Sequence, residues 1–398
     1  MGADGEPRDR TALKHFKRER APRRLAPGRA GPPGATASGS DSPALLFSKT
    51  AKLATESPMT KYIEETVPAS ESLQRKKGIL VISLGSPEKP EPKEVRRFIK
   101  EFLSDFRVVD IPAWRWQPIL RAFVLPFRPR LSARRYRDVW DPDKGSPQTF
   151  LAHSAAARLK ARLKAEGFDI PVAACMTYGN NSVAQALAQM KAEKVTDLLA
   201  ISATPQYASC STGAAMDALW RAMLRAFNQP NLTTIGYFWD NLVWQNAVAG
   251  KIKRRWQERG RAPGHLIFSL HGLPVSQKNR GDVYTAQCEA SCAALAKRLG
   301  LEKDSWTLTY QSKFGPMPWV GPSTQETCVK LGSERLDGLD VVCPGFLADC
   351  LETLEEINQE CRGLFVGAGG KNFDYIPCLN DDDALIDALR DVARGFTG

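Results

Sequence analysis

Residues 265–274 read HLIFSLHGLP. The apolar run Leu266-Ile267-Phe268-Ser269-Leu270, closed by Gly272 and Pro274, predicts a buried strand of a parallel sheet. In open α/β sheets, ligands bind in the crevice beyond the carboxyl ends of the strands. His271 stands at that crevice. The competing reading is a loop histidine hydrogen-bonded for structural reasons, and position alone does not separate the two.

Working outward, apolar strand candidates fall at 78–84, 172–178, 197–205 and 233–238, and again at 265–270, 306–312, 338–345 and 374–379. Helical patterns lie between them, at 182–195, 211–228, 241–257 and 284–299. Strands alternating with helices argue for parallel sheets covered on both faces. The two series also resemble each other. ILVISLGSP at 79–87 and LIFSLHGLP at 266–274 both run from an apolar strand into Gly-x-Pro, while LAISATPQY and DVVCPGF both end a strand in proline and an aromatic. Two matches in the same order predict a duplicated α/β fold: two doubly wound halves, each with a four-stranded parallel sheet, facing a central cleft. The expected boundaries are 77–258 and 259–398.

The remaining residues, 1–76, carry 14 Lys and Arg against 9 Asp and Glu and are rich in Pro, Gly, Ala and Ser. Disorder is the first reading of this tail, with a transit peptide or a start at Met59 as alternatives. The whole chain has a net charge of +11, 25% charged and 43% hydrophobic residues, a globular composition. No apolar run reaches about 18 residues and no secretory leader is visible, so a cytoplasmic protein is expected. Nine scattered cysteines without a C-x-x-C pair predict reduced, buried thiols. Cys288 and Cys292 lack a second pair at zinc spacing.

A second unusual stretch is VVCPGFLADCLETLEEI, residues 341–357. Spacings of three and four put Asp349, Glu352 and Glu356 on one face of a helix that begins in the same cleft. A cation path and a solvated helix face both fit that pattern. Together SLHGLP, YQSKFGPMPWVGP, VVCPGFLADCLETLEEI and FVGAGGKNFDYIPCLN resemble ferrochelatases of the bacterial type, over about residues 77–397. The resemblance implies the chelatase fold, two Rossmann-like halves around a porphyrin cleft, and insertion of Fe²⁺ into protoporphyrin IX as the last step of haem synthesis. It implies His271 as the catalytic histidine and Glu352 as the facing carboxylate. Asp349 and Glu356 would join these two along the iron path. Leu84, Tyr136, Ser146, Tyr178, Trp319 and Phe346 would line the macrocycle. Iron is then a substrate rather than a prosthetic group, and the wide cysteine spacing gives no support for an iron–sulfur cluster.

The residue types suit that chemistry. Two N–H protons must leave the free-base porphyrin, and a neutral imidazole accepts protons at neutral pH. Imidazole and carboxylate both bind Fe²⁺. Apolar walls can bend the ring and expose a nitrogen lone pair. The segment 106–136 holds seven arginines against Asp110, interleaved with Phe106, Trp114, Trp116, Phe123 and Phe127. No nucleic-acid recognition motif accompanies it. It reads as a membrane-facing lip, for peripheral contact with the inner membrane, or as a core helix with solvated arginines. The sequence departs from the family pattern at Thr177, where arginine is usual, and at Thr204, where an aromatic is usual. Those changes leave open a non-catalytic porphyrin or haem carrier, or a chelatase for another metal or tetrapyrrole. Nothing in the sequence bears on oligomeric state.

Overall fold

The computed structural model describes residues 74–260 and 263–398, so nearly all of the amino-terminal tail lies outside the described residues. Among the described residues, eight strands form two separate parallel sheets. β1 (Lys77–Ser83), β2 (Val172–Met176), β3 (Asp197–Ser202) and β4 (Asn231–Ile235) lie in the order β2-β1-β3-β4. β5 (His265–His271), β6 (Trp306–Gln311), β7 (Gly338–Val342) and β8 (Asn372–Ile376) repeat that order as β6-β5-β7-β8. The duplication read from the two Gly-x-Pro strands is therefore a duplication of topology. In β1 and β5 only the ends escape full burial, as expected of strands covered on both faces.

Parallel neighbours require crossovers, and helices supply them. In the first half these are α1 (Pro92–Ser104), α2 (Ala113–Ile119), α3 (Arg128–Val139), α4 (Pro147–Ala165), α5 (Val183–Ala192) and α6 (Ala214–Met223). A π-turn, Leu120–Val124, follows α2, which itself contains Pro118. α7 (Leu242–Arg259) leads to the second half, where α8 (Val275–Asn279), α9 (Tyr284–Leu299), α10 (Thr324–Ser333), a ten-residue π-helix (Glu352–Cys361), α11 (Arg362–Gly367) and α12 (Asp383–Val392) follow.

The halves share one core. Ile79 and Val81 of β1 and Leu159 and Leu163 of α4 belong to the same buried cluster as Leu266 and Phe268 of β5 and Leu385 and Leu389 of α12. α7 packs on α9 and α12, and α4 on α12. Across the seam, Arg158 pairs with Asp383 at 2.7 Å, Ser154 donates to Asp381 at 2.5 Å and Arg162 pairs with Asp387. The nine cysteines are unpaired, and all but Cys210 are buried.

Candidate active site

His271 ends β5, where the strand's burial gives way. Its Nδ1–H donates to the Gly272 carbonyl at 2.7 Å, which leaves the lone pair on Nε2. Beside it in register is Gln311, the last residue of β6. A side chain on Gly272 would sit 2.7 Å from the Gln311 carbonyl and 3.0 Å from the Trp319 ring, so only glycine permits this approach. Pro274 pairs with Trp319 in an isolated antiparallel bridge, and the Trp319 indole donates to Phe314 O at 2.9 Å. Trp319 is thus held, half-buried, next to the histidine.

The acidic stretch begins beyond β7. Gly345 approaches Leu270 so closely that a β-carbon there would meet it at 2.8 Å. Phe346 follows, half-buried over the cluster of Cys343, Ile357 and Phe365. The chain winds as a π-helix from Glu352, a form that recurs at functional sites. Glu352 and Glu356 fall about one turn apart on it. Burial raises the Glu356 carboxyl above its ordinary range, opposed by donors from Ser312 and Gln325 and by nearby His271. Those donors are Ser312 N–H at 2.6 Å, Ser312 Oγ at 2.5 Å and Gln325 Nε2 at 2.6 Å. The Glu352 backbone carbonyl accepts from Gln311 Nε2 at 2.8 Å.

Asp349 differs from expectation. It precedes the π-helix rather than sharing its face, because Pro344, Gly345 and the loop after them delay the helix. Its carboxylate is buried and accepts from Asn380 Nδ2 at 2.8 Å, Thr353 Oγ1 at 3.2 Å, Cys378 N–H at 3.3 Å and the Tyr375 hydroxyl. Among the described residues, no three His, Cys, Asp or Glu side chains converge as a metal-holding group. His271, Glu352, Asp349 and Glu356 therefore do not form a single ligand cluster.

The first half reaches the π-helix through α3. Arg135 pairs with Glu355 at 3.4 Å, and Tyr136 lies near enough to Glu352 to feel its charge. Burial first, and that charge second, hold the Tyr136 phenol well above its usual pKa, so it remains a neutral donor. Leu84 is half-buried and its carbonyl accepts from the Tyr178 N–H at 3.0 Å. Tyr178 itself is only 3% exposed, packs edge-on against Phe102 and donates to Asp105 at 3.0 Å. It belongs to the packing beneath α1 rather than to an open wall. Ser146 is buried at the amino end of α4, and its side chain does not cap that helix. Along the rim, Trp114, Phe123 and Phe127 are 72%, 70% and 72% exposed, with Arg115 stacked 4.6 Å from the Trp114 ring.

The ferrochelatase family model matches residues 76–395. A ferrochelatase of Neisseria gonorrhoeae is 43% identical over 325 residues, 82% of this chain and 95% of the relative. This chain belongs to the ferrochelatase family. A second ferrochelatase, from Methylococcus capsulatus, is 45% identical over 312 residues, 78% of this chain and 94% of the relative. Among solved structures, SirB from Bacillus subtilis with Fe³⁺ is similar at 11% identity and a TM-score of 0.48, covering 81% of this chain and 96% of that one.

As a ferrochelatase, the chain fills its departing positions with closed hydrogen bonds. Thr177 Oγ1 donates to Ser83 O at 3.1 Å, and Thr204 shares hydroxyl contacts with Ser202 at 2.9 Å and Thr212 at 3.0 Å. Sequence reasoning missed Gln311 and Ser312, which tie the histidine strand to both glutamates of this ferrochelatase. Their signal was the polar pair QS closing the apolar strand 306–312.

Proposed function

We propose that this chain inserts Fe²⁺ into protoporphyrin IX using His271 and Glu352, with Glu356 behind Glu352. The observation that carries the reading is the join between β5, β6 and the π-helix. His271 ends one strand, Gln311 ends its neighbour, and Gln311 and Ser312 reach Glu352 and Glu356. His271 supplies an imidazole lone pair on Nε2 that accepts the two pyrrole protons one at a time, releasing the first to solvent before it takes the second. Glu352 is the carboxylate from which the dication passes to the ring. Glu356, whose carboxyl burial pushes upward against the donors Ser312 and Gln325, stands behind Glu352 as a second acidic group on the same π-helix. Trp319, Phe346, Leu84 and Tyr136 supply the walls, and their binding energy favours a bent ring over a flat one. Ser146 lies at the amino end of α4, where a propionate would be favoured. Asp349, with four donors already on its oxygens, holds the entry to the π-helix instead of carrying iron.

The exposed aromatics and arginines of α2, the π-turn and α3 are read as a surface for peripheral contact with anionic lipid on the cytoplasmic face of the inner membrane. No helix among the described residues is long and apolar enough to cross a membrane. The deciding experiment is anaerobic Fe²⁺ insertion into protoporphyrin IX, followed by absorbance. Wild type turns over, while His271→Ala and Glu352→Gln each lose at least about 100-fold in kcat, consistent with loss of a proton acceptor or metal ligand. Tight porphyrin binding by wild type without insertion of iron, cobalt or zinc would make the chain a carrier.

A further inference from the structure

We infer that Gln311 is a positioning residue that sets the separation of His271 from Glu352, an inference that rests on those two forming the metal-transfer pair. Gln311 is 1% exposed and sits where the two elements meet. Its backbone carbonyl accepts the Gly272 N–H at 2.7 Å, one residue past His271. Its side-chain Nε2 donates to the Glu352 carbonyl at 2.8 Å, on the first residue of the π-helix. One residue thus holds the histidine from its main chain and the glutamate from its amide.

The amide is itself fixed. Ser269 Oγ donates to Gln311 Oε1 at 2.6 Å and Cys343 Sγ donates to the same oxygen at 3.6 Å. Ser269 also bonds Thr324 at 2.9 Å, and Thr324 bonds Thr309 at 2.8 Å, all fully buried. These hydroxyls determine which end of the amide faces Glu352, since Oε1 is taken by Ser269 and only Nε2 remains to donate. A carboxyl or a thioether at 311 could not make the same pair of contacts at neutral pH.

A residue of this kind acts on metal affinity more than on porphyrin affinity, because its side-chain bonds go to Glu352, Ser269 and Cys343 and to none of the wall residues. Gln311→Met keeps length and removes all three side-chain hydrogen bonds, to Glu352 and from Ser269 and Cys343. It is compared with wild type for the KM of Fe²⁺, the KM of protoporphyrin, the Kd of Zn²⁺ by titration calorimetry, and thermal unfolding. The expected result is a metal KM and a Zn²⁺ Kd raised about tenfold, with porphyrin KM within twofold. In a Glu352→Gln background the same change moves the Zn²⁺ Kd less than twofold, because the carboxylate it positions is gone. Equal losses in both backgrounds, or a lower melting temperature with unchanged metal constants, would overturn the inference. Should the methionine variant fail to fold, Gln311→Asn, which retains an amide one methylene shorter, is judged by the same constants. If Glu352→Gln alone left turnover intact, the functional reading itself would fall, an outcome separate from any result at 311.

Discussion

Asp349 and Glu352 stand three residues apart in opposite surroundings. Asp349 accepts from Tyr375, Thr353, Cys378 and Asn380 in a buried pocket, and its own N–H donates to Asn380 Oδ1 at 2.8 Å. Glu352 is half-buried: its backbone carbonyl accepts from Gln311, and its carboxylate meets the Cys350 thiol rather than a ring of four donors. In Asp349→Asn one acceptor becomes a donor facing other donors, at a cost of about 2–4 kcal/mol. The expected outcome is a melting temperature lower by about 5 °C or more, with kcat falling far less than in Glu352→Gln. A variant as stable as wild type but inactive would return Asp349 to the iron path. Residue identity alone could not separate these carboxylates. Spacing shows where they lie along the chain, whereas three of the four donors that distinguish them come from β8 and the loop after it, some 30 residues away.

At the scale of elements, the eight strands were legible because apolar runs of five to seven residues closed by Gly or Pro have few other structures open to them. The π-helix was not. Glu352 and Glu356 are four apart, which suits an α-helix equally well, and the wider winding depends on contacts made after Gly345. Thr353 shows one of them: its hydroxyl accepts the Cys350 N–H at 3.0 Å and fixes where the helix begins. The rim formed by α2, the π-turn and α3 was half legible. Its arginines and aromatics were plain in the sequence, while their sorting was not: Trp116 is buried with its indole donating to Leu103 O at 2.6 Å, and Trp114 two residues earlier faces outward. Substituting Trp114, Phe123 and Phe127 together with Ser is expected to lower binding to anionic phospholipid vesicles at least tenfold. Turnover with detergent-dispersed porphyrin should stay within about threefold. Unchanged vesicle binding would assign these rings to another partner.

For the whole molecule, the duplicated sheets suggest two independent halves, but the core does not divide that way. α12 closes over α4, with Leu385, Ile386 and Leu389 in the same buried cluster as Leu159 and Leu163. The sequence reading placed a boundary at 258 from the order of strands, and strand order carries no information on which helices cross between layers. A chain shortened to end at Asn380 is expected to lose cooperative unfolding and to collect in the insoluble fraction. A soluble, cooperatively melting product would show that the first half keeps its own core. The seam also bears on synthesis. Arg158 waits for Asp383, 225 positions later, so the ribosome has delivered almost the entire second half before α4 meets its cover. Until then the side of α4 that meets α12 stays uncovered, although its other side already packs on β2, so the nascent first half exposes apolar surface of the kind that makes folding intermediates prone to aggregate.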